Sequence, residues 1–196
     1  MTKKIKLFLA SSNELKAERE QFEIEIYRKC KSWFDQGIFL HLDIWEDLSA
    51  RMSSKRSQEE YNQVLREADI FVLLAYSKVG MYTAEEFEAA FGQFQSKQKP
   101  FIFTYFKDAE AIKTAASLDH FKQRLKDLNH FYAHYQDFHH LWHQFNKELD
   151  RLLAEDFKEF VKADSSKTES AAIAGKNILK DVTIGNVGGN FRVGDD

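Results

Sequence analysis

The chain has 196 residues, of which 43% are hydrophobic and 30% are charged, and its 18 phenylalanines predict a core built largely from aromatic side chains. This length suits one α/β domain with a short appendage and is thin for two full domains. Because the net charge of -3 is spread over both signs without a dense Lys/Arg stripe, nucleic acid is a poor candidate partner.

The first twenty residues, MTKKIKLFLASSNELKAERE, become charged too early for a signal peptide or a membrane span. Cys30 is the single cysteine, so no disulfide can form within the chain. Its place on the apolar face of a predicted helix favours a small buried hydrophobe over a nucleophile. We therefore expect a cytoplasmic protein without a membrane partner.

The apolar segments of the chain alternate between β-prone runs and helical periodicity. The β-prone runs lie at residues 5–10, 38–45, 69–76 and 101–106, with a weaker one at 130–135. Helical periodicity occurs at residues 13–35, 57–67, 83–97 and 138–161. Strands that are apolar almost throughout, separated by helices, predict a three-layer α/β fold with a parallel sheet of about five strands. We expect this domain to occupy residues 1–162.

The composition changes after residue 162. Residues 163–176 are small and polar, as in a linker, whereas residues 177–196 are glycine-rich and carry short alternating apolar segments. The tail therefore resembles a small β-hairpin, which is marginal on its own. Docking, pairing between copies and disorder all stay open, and contact with a copy or a protein partner is slightly favoured.

Ligands of parallel α/β sheets bind beyond the carboxyl ends of the strands, near the point where the strand order reverses. The predicted strand ends carry hydroxyls, aromatic rings and charged groups, namely Ser11, Ser12, Trp45, Glu46, Asp47, Tyr76, Ser77, Lys107 and Asp108. We therefore expect a binding pocket at this edge.

Two nucleotide-binding motifs are missing from the sequence. The stretch after the first strand, LASSNEL, lacks the Gly-x-Gly-x-x-Gly fingerprint, and no Walker-type Gly-Lys-Ser/Thr occurs. Hydride transfer on a standard Rossmann site and P-loop nucleotide hydrolysis are therefore disfavoured.

Five histidines lie between His130 and His143, and the pair His139 and His143 has the spacing of two ligands on one helix face. The catalytic glutamate of a His-Glu-x-x-His site is absent, and no cysteine supports the pair. We therefore expect packing or solvated histidines, and no metal.

Glu86 has two interpretations. Thr83 and Glu86 have the spacing of a helix capping box, as do Ser11 with Glu14 and Ser57 with Glu60. Such a cap is worth about 0.5–2 kcal/mol and involves no chemistry. Glu86, however, follows a strand end and the loop YSKVGMY. A carboxylate beside aromatic rings suits a ribose that develops positive charge at its anomeric carbon.

Four stretches of this chain occur in a familiar order over about residues 3–160. They are KIKLFLASSNELKAERE, LDIWEDL, KRSQEEYNQVLREADIFVLLAYSKVGMYTAEEFEAAF and FIFTYFKD. Together they resemble the bacterial branch of the TIR (Toll/interleukin-1 receptor-like) domain family, in the form found in prokaryotic conflict and antiphage proteins. The resemblance implies a flavodoxin-like fold and, as in many bacterial and plant members, cleavage of NAD+ at the nicotinamide-ribose bond, with or without cyclisation.

The resemblance also implies roles for particular residues. The family's catalytic glutamate lies in a Trp-Cys-x-x-Glu-Leu type motif, which Tyr82 to Phe87 occupy here, so that glutamate maps onto Glu86. Tyr82 replaces the tryptophan and keeps an aromatic plate, while Thr83 replaces the cysteine. By position alone, the nucleotide pocket would be lined by Ser11, Ser12, Trp45, Asp47, Tyr76 and Ser77, and Arg56 would meet a phosphate.

The expectation is therefore a TIR-like NAD+ glycohydrolase or cyclase of antiphage defence, with NAD+ as substrate and no further cofactor. Family members need neighbouring copies to complete the pocket, which implies a homo-oligomer or filament. Two alternatives stay open: a TIR interaction module without turnover, and an enzyme like the nucleoside deoxyribosyltransferases. The latter are similar in fold and use a glutamate in a Gly-Thr-x-x-Glu-like setting.

Overall fold

The computed structural model describes residues 2–44, 63–108 and 113–158. Five parallel strands form one sheet in the order β2-β1-β3-β4-β5. Their bounds are Lys3–Ser11 for β1, Ile38–Asp43 for β2, Ile70–Ala75 for β3, Phe101–Lys107 for β4 and Ala133–Tyr135 for β5. This order is that of flavodoxin-like doubly wound folds, and its direction reverses between β1 and β3. The predicted fold class is confirmed.

Four α-helices that lie wholly within the described residues cover the two faces of the sheet. They are α1 (Lys16–Phe34), α2 (Met81–Lys97), α3 (Ala116–Asp127) and α4 (Phe138–Glu155), and a short 3-10 helix, Asn13–Leu15, precedes α1. Buried side chains of α1 and α4 share one core cluster, and those of α2 and α3 share the other. The molecule therefore has three layers. None of the helices in the described ranges combines the length and the apolar character that a membrane crossing requires.

Aromatic rings occur in both cores, but aliphatic side chains outnumber them, so the predicted core built largely from aromatic side chains is wrong. On one face Phe22 of α1 packs against Phe145 of α4, with 5.2 Å between ring centroids. On the other face Phe87 of α2 meets Phe121 of α3 edge-on at 5.1 Å. Between them, all six residues of β3 are buried, because a central parallel strand is covered on both faces. Cys30 is 6% exposed and lies in the α1 core, as predicted.

The structure differs from the predicted elements in three places. Helix α3 lies in a stretch for which we predicted no element, although Leu118, Phe121 and Leu125 are buried at helical spacing. Strand β5 has only three residues and pairs with Tyr105 to Lys107 alone. The last helix ends at Glu155, short of the predicted residue 161.

Some predicted boundaries lie outside the described residues. Of the predicted helix at 57–67, residues 63–66 are described and are helical. The predicted domain end at residue 162, the linker at 163–176 and the hairpin-like tail at 177–196 all lie beyond the last described residue, Lys158.

Candidate functional site at the carboxyl edge of the sheet

The carboxyl ends of β1 and β3 lie side by side, since Ser11 is paired with Leu74. The loops that leave these two strands are joined by the side chain of Glu14. Its Oε1 accepts hydrogen bonds from the Ser12 hydroxyl and the Ser77 backbone N–H, both at 3.0 Å. Its Oε2 accepts a bond from the Ser77 hydroxyl at 2.6 Å. Two predicted site residues, Ser12 and Ser77, are thus brought together by a carboxylate that we did not assign to the site.

The Glu14 carboxylate is held in its charged form. Partial burial raises its pKa, but the hydrogen bonds from Ser77 and Ser12 together outweigh burial, and the net shift of the pKa is downward. The predicted capping box of Ser11 and Glu14 is wrong. Ser12, not Ser11, is the residue that precedes the 3-10 helix, and its side chain makes no capping hydrogen bond.

Ser11 supports a buried cation. Arg19 of α1 is 1% exposed, and its Nη1 donates to the Ser11 hydroxyl and to the Ser12 carbonyl oxygen, both at 2.8 Å. Charge-assisted bonds of this kind compensate for removing the guanidinium from water. Ser77 is also engaged within the protein, because its carbonyl oxygen accepts from the Ala115 N–H at 2.9 Å. These three serines therefore shape the edge, and each makes hydrogen bonds to the protein.

A second group of polar side chains lies beside the ends of β3, β4 and β5. Lys107 forms an ion pair with the buried Glu18, and its Nζ lies 5.2 Å from the centroid of the Tyr76 ring. Tyr135 is fully buried, and its hydroxyl has no hydrogen-bond partner among the described residues. Burial, together with the negative charges of Glu18 and Glu14, raises the Tyr135 pKa, so the phenol stays neutral.

Glu86 occupies the second turn of α2, the helix that follows β3. The helix begins at Met81, and the residue before it is Gly80, whose backbone is extended (φ -72°, ψ 159°). Thr83 therefore lies inside the helix and is not its cap, so the predicted capping box of Thr83 and Glu86 is wrong. The Glu86 side chain is 7% exposed, which makes it a buried carboxylate on a helix that packs against β1, β3 and β4.

Tyr82 has a largely exposed side chain. Its side chain is 62% exposed, and its neighbour Met81 is 66% exposed. Both lie at the start of α2, at the same edge of the sheet as Ser12 and Ser77. The remaining predicted site residues, Trp45, Asp47 and Arg56, lie outside the described residues.

The histidines have separate surroundings. His134 Nδ1 lies 2.9 Å from Asp108 Oδ1, and His130 Nε2 lies 3.2 Å from the Thr104 hydroxyl. Burial lowers the pKa of His130. His139 and His143 are exposed on α4. Within residues 2–44, 63–108 and 113–158, no group of three His, Cys, Asp or Glu side chains is arranged to hold a metal ion.

Comparison with known proteins identifies no family. No family model matches the chain, and no curated protein matches it. A solved structure, that of a conserved protein from Enterococcus faecalis V583, is similar at 15% identity and a TM-score of 0.37. The match covers 74% of this chain and 98% of that chain. The fold assignment therefore rests on the order and direction of the strands.

Proposed function

We propose that this protein cleaves the bond between nicotinamide and ribose in NAD+, with Glu86 as its catalytic carboxylate. The observation that carries the proposal is the burial of Glu86, at 7% exposure, on the helix entered directly from the central strand β3. The helix begins at Met81, so Thr83 and Glu86 do not form its N-terminal capping box. In α/β proteins, nucleotides bind at the sheet edge where such a helix begins. The resemblance of residues 82–87 to the TIR motif supports the same assignment.

The chemistry requires a negative charge more than a proton donor. When the bond breaks, its electron pair goes to the ring nitrogen, so nicotinamide leaves as a neutral molecule. Positive charge develops on the ribose C1′, where an ionised carboxylate stabilises the transition state more than the ground state. A partly dehydrated setting strengthens this attraction. Attack by water and loss of its proton then yields ADP-ribose, whereas attack by the adenine of the same molecule yields a cyclic product.

The remaining residues at the edge mainly hold the loops and side chains of the site in position. The Glu14 bridge holds the loops after β1 and β3 in place, and Arg19 fixes Ser11 and Ser12. Tyr76 is half-buried at the end of β3 and offers a ring to the dinucleotide. The exposed Tyr82 completes the pocket from a neighbouring copy, so the active form is an assembly. A role in antiphage defence would place this reaction in the cytoplasm.

The test is NAD+ turnover by purified full-length protein, with nicotinamide and ADP-ribose products resolved by chromatography. Glu86→Gln removes the charge and keeps nearly the same shape, so we expect at least a ~100-fold loss of turnover with an unchanged melting temperature. Glu85→Gln is the matched control, since Glu85 is the adjacent residue and is exposed. Wild-type turnover by Glu86→Gln would show that the catalytic assignment is wrong.

A second candidate function is a TIR-type interaction module without turnover. The observation that favours it is the exposure of Met81 and Tyr82, two adjacent large side chains at the start of one helix. A module of this kind would release no nicotinamide in any variant, and Met81→Lys would weaken binding to a partner or another copy. Turnover that depends on Glu86 would exclude this alternative.

A further inference from the structure

Described strands pair with only part of the outer edge of β4. Strand β5 pairs with Tyr105, Phe106 and Lys107. On the side away from β3, Phe101 to Thr104 have no strand neighbour among the described residues. A sheet edge of this kind presents backbone N–H and C=O groups that can pair with a further strand.

A groove of about 720 Å³ runs along this edge. Its floor is the first half of β4, where Phe101, Ile102 and Phe103 are half-buried while the following three residues are buried. Phe91 and Phe94 of α2 form one wall. The groove is closed at its far end by residues 128–133, which lead into β5. The groove lies on the same side of β4 as β5, so an extended segment in the groove would be in line with β5.

The two walls of the groove differ chemically. Phe91 and Phe94 are apolar, whereas the opposite wall consists of Gln144, Lys147 and Glu148 of α4. Side chains of a strand alternate between the two faces of a sheet. The groove therefore fits a strand whose residues alternate between apolar and polar, with a negative charge placed to meet Lys147.

We propose that residues 181–184 of the same chain, Asp-Val-Thr-Ile, occupy this groove as a sixth strand. Val182 and Ile184 fall on one face and pack against Phe91 and Phe94. Asp181 falls on the other face, toward Lys147. The segment has four residues, as many as the part of β4 that has no described strand on this side. Main-chain pairing supplies affinity, as in other cases of strand addition.

The path of the chain favours its own tail as the occupant. Phe157, one residue before the end of the described chain, packs edge-on against Phe101 with 6.0 Å between centroids. The chain thus leaves the domain beside the start of the uncovered edge. Residues 159–180 then form a tether, which raises the effective concentration of the segment to about the millimolar range. This inference does not rest on the proposed function.

The experiment is hydrogen exchange followed by mass spectrometry on full-length protein, with peptides that cover residues 101–104. Val182→Lys with Ile184→Lys places charges against Phe91 and Phe94. If the wild-type segment is docked about nine-tenths of the time, the double variant exchanges these amides about tenfold faster. Phe191→Lys with Val193→Lys is the matched control elsewhere in the tail and should leave them unchanged. Peptides from the fully covered strand β3 serve as the internal standard.

Three results would overturn the proposal. The first is equal exchange at residues 101–104 in wild type and the 182/184 variant. The second is an equal effect of the 191/193 variant, which would assign the edge to another part of the tail. The third is protection that disappears on dilution together with a fall in mass by light scattering. That result would mean that a second copy, rather than the chain's own tail, covers the edge.

Discussion

At the scale of single residues, Glu14 shows how a short pattern can carry two meanings. Ser11 and Glu14 have the spacing of a capping box, but the carboxylate bonds instead to Ser77, 63 positions away. Its lowered pKa follows from the hydrogen bonds from Ser77 and Ser12, which outweigh the effect of partial burial. The charge of Glu14 therefore contributes to stability by holding two strand ends together.

Glu14→Gln should lower the free energy of unfolding by about 0.5–1 kcal/mol at pH 7. This value is small because solvent screens the charge of the exposed carboxylate. The pKa of Glu14 is lower in the folded chain than in the unfolded chain. The stabilisation is thus fully present above the usual pKa of about 4.5 and is lost as the pH falls through the folded pKa. The unfolding free energies of wild type and variant should therefore become equal at low pH, and urea unfolding between pH 7 and pH 3 measures them.

Ser77→Ala provides the control for that experiment, because it removes one of the two donors that Ser77 offers to Glu14. In the Ser77→Ala variant, Glu14→Gln should lower the free energy of unfolding by less than it does in wild type. If the difference in unfolding free energy between wild type and Glu14→Gln stays constant from pH 7 to pH 3, the charge of Glu14 does not contribute to stability.

At the scale of elements, α2 carries Glu86 and has a glycine in its interior. Gly92 lies in the C-terminal half of the helix and is exposed. A Cβ atom added there would meet no atom within 4 Å. Glycine loses more backbone freedom on folding than any other residue, so this position weakens the helix without a packing reason.

Gly92→Ala should raise the free energy of unfolding by about 0.5–1 kcal/mol, because alanine restricts the unfolded chain and fits the open space. Ala89→Gly, at another exposed position of the same helix, should lower it by a similar amount. Denaturant unfolding of the two variants measures both changes. A loss of stability in Gly92→Ala would mean that the region around residue 92 is covered in solution.

At the scale of the whole molecule, we propose that the activity depends on assembly. The start of α2 exposes Met81 and Tyr82 beside the candidate site, and a neighbouring copy would cover them. Burial of large side chains at the centre of an interface commonly supplies more than about 1 kcal/mol each. Self-association should therefore be sensitive to a charge at this place.

The specific activity on NAD+ should rise with protein concentration. Met81→Lys should shift the concentration of half-maximal specific activity upward by about tenfold, since a tenfold change corresponds to about 1.4 kcal/mol. Lys97→Glu changes a charge at the opposite end of α2 and is the control, with no shift expected. Specific activity that is independent of concentration would show that a single chain is sufficient.

Much of the fold follows from local periodicity. Apolar runs predicted four of the five strands closely, and helical periodicity at residues 13–35 predicted α1, with Cys30 on its buried face. Helix α3 was missed because three apolar residues among charged ones give a weak signal, although they suffice for a narrow buried face. The Thr83–Glu86 box was wrong because the helix begins two residues earlier than predicted, and such a short motif does not define its own boundary.

The sequence by itself determined the α/β class, the succession of strands and helices, and the set of residues that follow each strand. The tertiary structure alone decided which segments become neighbours: it brings Glu14 to Ser77, buries Glu86, and pairs the short β5 with only the last three residues of β4. The reason is physical. A period of 2 or 3.6 residues specifies which face of an element is buried. The element that covers this face is selected by packing between segments far apart in the chain.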